Sequence, residues 1–221
     1  MRRRRVFADR AEGGALLAER LAAFGLADPL VLALPRGGVP VGAEIAKRLA
    51  APLDVVFVRK LGAPHEPELA IGAVAYGSSP EIVLNAKLVH ALALDADYIE
   101  AQAVRERATI EQRRRAYEGL RPNVDPSGRA AIVVDDGVAT GMTMQAALRS
   151  VRRTRPSRLV AAAPVASRQA VAMLRREADE VVCLSAPRRF LSVGLFYRDF
   201  AQVTEDDVAR LLREAAVRTA G

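Results

Sequence analysis

The stretch IVVDDGVATGMTMQAAL, residues 132–148, constrains this chain more than any other part of it. It opens on β-branched apolar residues, Ile132, Val133 and Val134, which suit a strand buried on both faces of a parallel sheet. It closes on Gln145, Ala146, Ala147 and Leu148, which read as helix. A strand, a tight loop and a helix start form the repeating unit of an open α/β sheet. The loop then falls at the carboxyl edge of the sheet, where such folds bind ligands.

The residue types in the loop say what kind of ligand. Asp135 and Asp136 stand where the strand gives out, and two adjacent carboxylates can accept hydrogen bonds from neighbouring sugar hydroxyls or hold water around a hard cation. Gly137, Val138, Ala139, Thr140, Gly141, Met142 and Thr143 then make a turn of mostly small residues. Its N–H groups and hydroxyls can face an anion, and the following helix N-terminus adds partial positive charge. Carboxylates for a sugar beside amides for a phosphate describe a sugar-phosphate site.

An apolar run, two acidic residues, three residues and then Thr-Gly-x-Thr resembles the phosphoribosyl-pyrophosphate (PRPP) motif of type I phosphoribosyltransferases, at every position. The resemblance implies a single domain over 1–221. Its fold would be one doubly wound parallel sheet flanked by helices, with a mobile lid at about 61–82 and a small hood at about 185–200. It also implies a pentosyltransferase of nucleotide metabolism that takes PRPP with Mg²⁺, transfers ribose 5-phosphate to a purine or pyrimidine base and releases pyrophosphate.

At 221 residues the length suits one well-buried α/β domain, and 51% hydrophobic content with only 5% aromatics and no Trp predicts a core of Ala, Val and Leu. The net charge of +7 raises nucleic acid as a partner, but Arg2 to Arg5 supply four of those charges. Much of the rest alternates with Glu along 100–118, the pattern of a solvated helix face, so a polyanionic small substrate is the better match. Cys183 is the single cysteine and lies in an apolar run, a small core residue rather than a nucleophile. No apolar run reaches membrane-spanning length, and Asp9, Arg10 and Glu12 prevent an uninterrupted apolar segment after the basic start, so a cytoplasmic protein is expected.

In chain order, helical spacing over 9–24 stops at Gly25, and 30–34 reads as a buried strand. Pro35, Arg36, Gly37 and Gly38 follow, then a helix over about 41–49; a Gly pair there lets the backbone approach a ligand while Arg36 adds a cationic fork. Residues 53–58 read as the next strand, with Arg59 and Lys60 at its carboxyl end. Residues 65–80 are broken by Pro and Gly into a loop, short strands and a turn. Residues 85–94 read as a helix carrying His90, and 97–118 as a long charged helix whose thin apolar stripe suits packing across the molecule or against a second subunit, which keeps a homodimer open. Two more strands, 158–165 and 180–184, flank a helix capped by Ser167, and Thr204 caps a C-terminal helix. Residues 185–200 break the periodicity and hold Phe190, Phe196, Tyr197 and Phe200.

By the resemblance, loop 137–143 holds the 5′-phosphate, and Asp135 and Asp136 hold the ribose hydroxyls and, through them or through water, Mg²⁺. Arg36, Gly37, Gly38, Arg59 and Lys60 hold pyrophosphate, and Phe190, Phe196 and Tyr197 receive the base, although an apolar cluster under a long loop accounts for those rings equally well. One departure stands out. Hypoxanthine-guanine members carry an Asp before the Thr-Gly for proton transfer, and here that residue is Ala139, as in adenine-specific members. An acid from the lid is then the proton-handling candidate, Glu68 or its neighbour Glu66. The alternative is a PRPP- or nucleotide-sensing regulator of the same fold without catalysis, since fold alone does not fix function.

Overall fold

The computed structural model describes residues 6–76, 81–120 and 122–219, the side chains of Glu68 and Thr219 excepted. Arg2 to Arg5 and residues 77–80, where a turn is expected, lie outside the described residues. Five parallel strands form the central sheet: β1 (Pro29–Ala33), β2 (Leu53–Val55), β6 (Ala130–Val134), β7 (Arg158–Val165) and β8 (Glu180–Ser185), in the order β2-β1-β6-β7-β8. Helices α1 (Arg10–Ala22), α2 (Gly38–Leu49) and α7 (Glu205–Thr219) cover one face, and α5 (Met142–Arg152) and α6 (Arg168–Leu174) the other.

The period of two along each strand produces both faces. Val31 and Ala33 in β1 and Ile132 and Val134 in β6 join the core with α1, α2 and α7. Their neighbours Leu30, Leu32, Ala131 and Val133 join the core with α5 and α6. The pairing sets Val31 beside Ile132 and Ala33 beside Val134, so a slip of one residue would turn both strands to the wrong layer. Each fully buried Leu or Val contributes about 1.5–3 kcal/mol of transfer free energy, and Leu, Val and Ala together make up most of both cores.

Residues 53–58 depart from the single strand expected of them. Val56 makes the last bond to β1, its N–H donating to Ala33 O at 3.0 Å, and at Phe57 the chain leaves the parallel sheet. There it begins an antiparallel sheet of β3 (Phe57–Ala63), β4 (Glu66–Tyr76) and β5 (Glu81–Leu84), in the order β3-β4-β5. The Pro- and Gly-rich stretch therefore holds one eleven-residue strand where short pieces were expected. Pro67 is accommodated because the β3–β4 ladder shifts register beside Gly62, where a side chain would meet the Pro67 carbonyl oxygen at 2.7 Å.

The short α3 (Ala86–Ala91) starts on Asn85, whose side chain accepts from Leu88 N. Helix α4 (Ala96–Ala116) lies across the β3–β4 hairpin, burying Ala103 and Ile110, and Tyr98 Oη donates to Gly62 O at 2.9 Å. Its thin apolar stripe is thus met within the chain at Tyr98 and Ile110, while Val104 stays exposed. Thr204 and Asp207 cap α7 reciprocally: Asp207 N–H donates to Thr204 Oγ1 at 3.1 Å, and Thr204 N–H to Asp207 Oδ2 at 3.0 Å. No helix among the described residues is long and apolar enough to cross a membrane.

Candidate active site

β1 and β6 are neighbours whose helices pack on opposite faces, α2 on one and α5 on the other. Their outgoing loops must diverge, and the gap between them is the crevice of a doubly wound sheet. The acid pair and both small-residue loops lie there.

The first loop follows β1. The Pro35–Arg36 peptide is cis, Gly38 N–H donates to Leu34 O at 3.0 Å, and α2 starts at once. The turn packs directly on the acids, since a Cβ on Gly38 would meet Val134 O at 2.6 Å. Arg36 is half-buried and has no ion-pair partner among the described residues.

Asp135 and Asp136 follow β6. Asp135 N–H still donates to Ala162 O of β7 at 3.2 Å, so the first acid is held by the sheet. Its Oδ1 accepts from Asp136 N–H at 2.9 Å. Asp136 turns the other way: Oδ2 accepts from Arg10 Nε at 2.8 Å, and its backbone oxygen accepts from Tyr197 Oη. Burial, with the Asp136 charge next to it, raises the Asp135 carboxyl well above the usual carboxylate range. Burial raises Asp136 as well, against the opposing pull of Arg10.

The second loop is pinned at one point and open elsewhere. Val138 N–H donates to Val165 O, and Ser167 N–H donates to Val138 O, both at 2.9 Å, while Ser167 Oγ donates to Ala139 O at 2.7 Å. Gly141 sits at φ +86° before α5, a conformation that only glycine adopts freely. Ala139 and Thr140 are exposed. Among the described residues the N–H groups of 139 to 143 have no protein acceptor, and they surround a helix N-terminus, an arrangement that binds anions.

A cavity of about 890 Å³ opens beside the two loops, between Pro35, Thr143, the β3–β4 hairpin and α4. Arg59, Lys60, Arg105 and Arg113 line it, with Glu106 as the one carboxylate among the described residues. Adjacent strand residues point to opposite faces, so the two expected cations differ. The Arg59 guanidinium is held by Glu106 at 2.7 Å, whereas Lys60 is exposed and its charge acts on Asp135.

The segment after β8 forms a small aromatic cluster with the chain start. Phe7, Val165, Phe196 and Tyr197 are buried together, Phe190 packs against them, and Phe200 stacks on Tyr197 with ring centroids 5.1 Å apart. Phe196 is 1% exposed and Tyr197 6%, so in this structure both rings, expected to receive a base, are packed in the cluster and neither offers a free face. Phe190 is half-buried, stacked on Phe196 at 5.4 Å. Glu68 lies in β4, but its side chain is outside the described residues; Glu66 is exposed. His65 occupies the hairpin tip at φ +64°, and Cys183 is half-buried with its thiol pKa raised by burial.

Sequence reasoning missed Arg10. It lies 126 positions from Asp136, in a helix whose pattern signals only packing, so nothing local marks it.

Comparison with known proteins identifies the family. The phosphoribosyl transferase domain family covers residues 9–198, which contain the whole crevice. The chain belongs to the phosphoribosyl transferase family. It is 42% identical over 211 residues to two Mycobacterium tuberculosis proteins, MT0597 of strain CDC 1551 and Rv0571c of strain H37Rv, both provisionally named phosphoribosyl transferases. The match takes in 96% of this chain but 47% of each relative, so the chain spans about half the length of these curated relatives. The crystal structure of TT1426 from Thermus thermophilus is 48% identical, with a TM-score of 0.81, covering 95% of this chain and 98% of that one. AQ2163 from Aquifex aeolicus, at 13% identity and a TM-score of 0.50 over 84% of this chain and 76% of that one, shares the fold.

Proposed function

We propose that this phosphoribosyl transferase domain binds PRPP with Mg²⁺ and transfers ribose 5-phosphate to a nitrogenous base, releasing pyrophosphate, in cytoplasmic nucleotide metabolism. One observation carries the reading: two adjacent carboxylates stand between two small-residue loops, the second with free amides at a helix N-terminus, at a topological switch point. The 5′-phosphate takes the amides of 139 to 143, the ribose hydroxyls take Asp135 and Asp136, and the pyrophosphate takes Arg36, the Gly37–Gly38 turn and Lys60. Arg59 joins them once Glu106 shares its guanidinium.

Mg²⁺ fits the donor set as a shared ion. No group of three or more His, Cys, Asp or Glu side chains gathers among the described residues, so those residues alone build no cage. Two carboxylates suit an ion that takes most of its oxygens from substrate and water. When bound, Mg²⁺ neutralises the leaving pyrophosphate. The residues themselves supply positioning, charge for the leaving group and exclusion of water.

A second reading, a PRPP- or nucleotide-sensing regulator, draws support from the sealed rings of Phe196 and Tyr197, which offer no stacking platform for a base. The ion pairs Arg114–Glu111, Arg152–Asp179 and Arg158–Glu180 tie up much basic surface, which counts against nucleic acid as the regulator's partner. Pyrophosphate release from PRPP and Mg²⁺ across a panel of purine and pyrimidine bases separates the two, with Asp136→Asn alongside. Base-dependent release that the variant loses establishes the transferase. Silence across the panel, with PRPP still raising the melting temperature, overturns it in favour of the sensor.

A further inference from the structure

Arg10 joins two parts of the molecule that the proposed reaction needs in register. Its Nε donates to Asp136 Oδ2 at 2.8 Å, and the two side chains are 11% and 13% exposed. Its Nη1 donates to Ala201 O, also at 2.8 Å, and the guanidinium carbon lies 3.8 Å from the centre of the Phe200 ring. Phe200 stacks on Tyr197, and Tyr197 Oη returns to the backbone oxygen of Asp136. The contacts close a ring: Arg10, Asp136, Tyr197, Phe200 and back to Arg10.

The backbone around Arg10 is fastened to the same segment. Phe7 N–H donates to Phe196 O at 2.8 Å, Arg198 N–H to Phe7 O and Asp199 N–H to Ala8 O, both at 2.9 Å. Asp9 caps α1 through Glu12 N, fixing where Arg10 leaves the helix. A planar guanidinium can bond in two directions and stack at once, which an ammonium cannot.

We propose that Arg10 is a positioning residue for the crevice, setting the orientation of the Asp136 carboxylate and coupling it to segment 197–201. Arg10 thereby holds the carboxylate that the reading above gives to the sugar hydroxyls, and a shift of 197–201 is transmitted to the acid pair through one side chain. The inference rests on the PRPP reading above.

The test compares wild type, Arg10→Ala, Arg10→Lys and Phe200→Leu by calorimetric titration with PRPP and Mg²⁺, and by hydrogen exchange of residues 196–201 without ligand. Arg10→Ala is expected to bind PRPP about 10- to 100-fold more weakly, the usual cost of removing a residue that orients a ligand-binding side chain. Arg10→Lys should recover part of the affinity. Phe200→Leu should fall between wild type and Arg10→Ala. Amide exchange should quicken at 198, 199 and 201 in both Arg10 variants.

PRPP affinity unchanged in Arg10→Ala, with faster exchange, overturns the proposal and leaves Arg10 a structural tie. If Arg10→Ala does not fold, Arg10→Lys decides: binding equal to wild type overturns the proposal, and a loss with a retained melting temperature upholds it. A wild type that binds no PRPP fails the functional reading instead, and exchange at 196–201 then decides the coupling: unchanged exchange in the Arg10 variants overturns it.

Discussion

Gly37 and Asp136 pack so closely that a methyl group on the glycine would lie 2.1 Å from Oδ2 of the aspartate, the oxygen that Arg10 holds. Gly37 has an ordinary φ of −62°, so what the site requires is the absence of a side chain, not a special backbone. Gly37→Ala must displace the Asp136 carboxylate, which is the end of a side chain and can move. Gly38→Ala must displace Val134 O, which belongs to the sheet. Gly37→Ala is therefore expected to keep a melting temperature close to wild type while losing PRPP binding, and Gly38→Ala to lose about 1–3 kcal/mol of stability as well, in the range of overpacked cores. Thermal unfolding with and without PRPP checks both. Equal stability losses in the two variants would show that the Asp136 side chain has no room to yield.

Asp135 is held as a buried acid beside a second acid. Burial and the neighbouring Asp136 both disfavour its charge, and at neutral pH the folded protein bears that cost. Asp135→Asn keeps an Oδ1 to accept from Asp136 N–H and removes the like charge. The variant should be about 1 kcal/mol more stable than wild type without ligand and should bind PRPP more weakly, an exchange of stability against function. Denaturant unfolding at pH 7.5 reads the first effect and titration the second. A less stable variant would mean that the Asp135 charge is better compensated, by Arg10 and Lys60, than its burial implies.

Away from the crevice, Glu177 fastens α5 to the end of α6. Arg149 donates to it through Nε at 3.0 Å and Nη2 at 2.7 Å, and Gln145 Nε2 at 2.6 Å. Chiefly through the Arg149 hydrogen bond, the Glu177 carboxyl is held below its ordinary value. A folded value below the unfolded one contributes stability that is present above the unfolded value, about 4.3, and is lost as the pH falls through the folded one. Arg149 is 41% exposed, so the contribution is discounted for solvent to about 1 kcal/mol, or about 2–4 °C in a chain of this size. The melting-temperature difference between wild type and Glu177→Gln should be positive at pH 6–7 and shrink toward pH 3. A difference constant over that range would assign the effect to packing.

What could be read in the sequence, and what could not, divides by the range of the interaction. The strand, loop and helix of 130–152 were legible because apolar period, acid pair and turn residues lie side by side, and the caps at Ser167 and Thr204 were legible for the same reason. The turn of the chain out of the sheet at Val56 was not, because Leu53-Asp-Val-Val-Phe-Val58 reads as one apolar run. Only the pairing of Phe57 with Tyr76, nineteen positions on, ends it. Pro67 hid β4, since its bulge depends on Gly62 across the hairpin. The aromatic cluster of 190–200 was visible as a cluster but not as a closed one, because Phe7, which covers Tyr197, comes from the other end of the chain.

Gly141 combines two demands that can be separated by experiment. Its φ of +86° costs an L residue roughly 1–2 kcal/mol, and a Cβ there would also stand 2.3 Å from Met173 Cε. The methionine end is flexible and can withdraw, but the backbone angle cannot change without moving the amides that precede α5. Gly141→Ala should therefore lose stability from both causes. Gly141→Ala with Met173→Ala should regain only the steric part, at the cost of the packing that Met173 supplies to α6. If loop 137–143 holds a phosphate through its amides, both variants should bind PRPP at least tenfold more weakly than wild type, because the conformation itself is altered. Recovery of PRPP affinity in the double variant would place the whole effect in the Met173 contact and leave the left-handed turn without a role in binding.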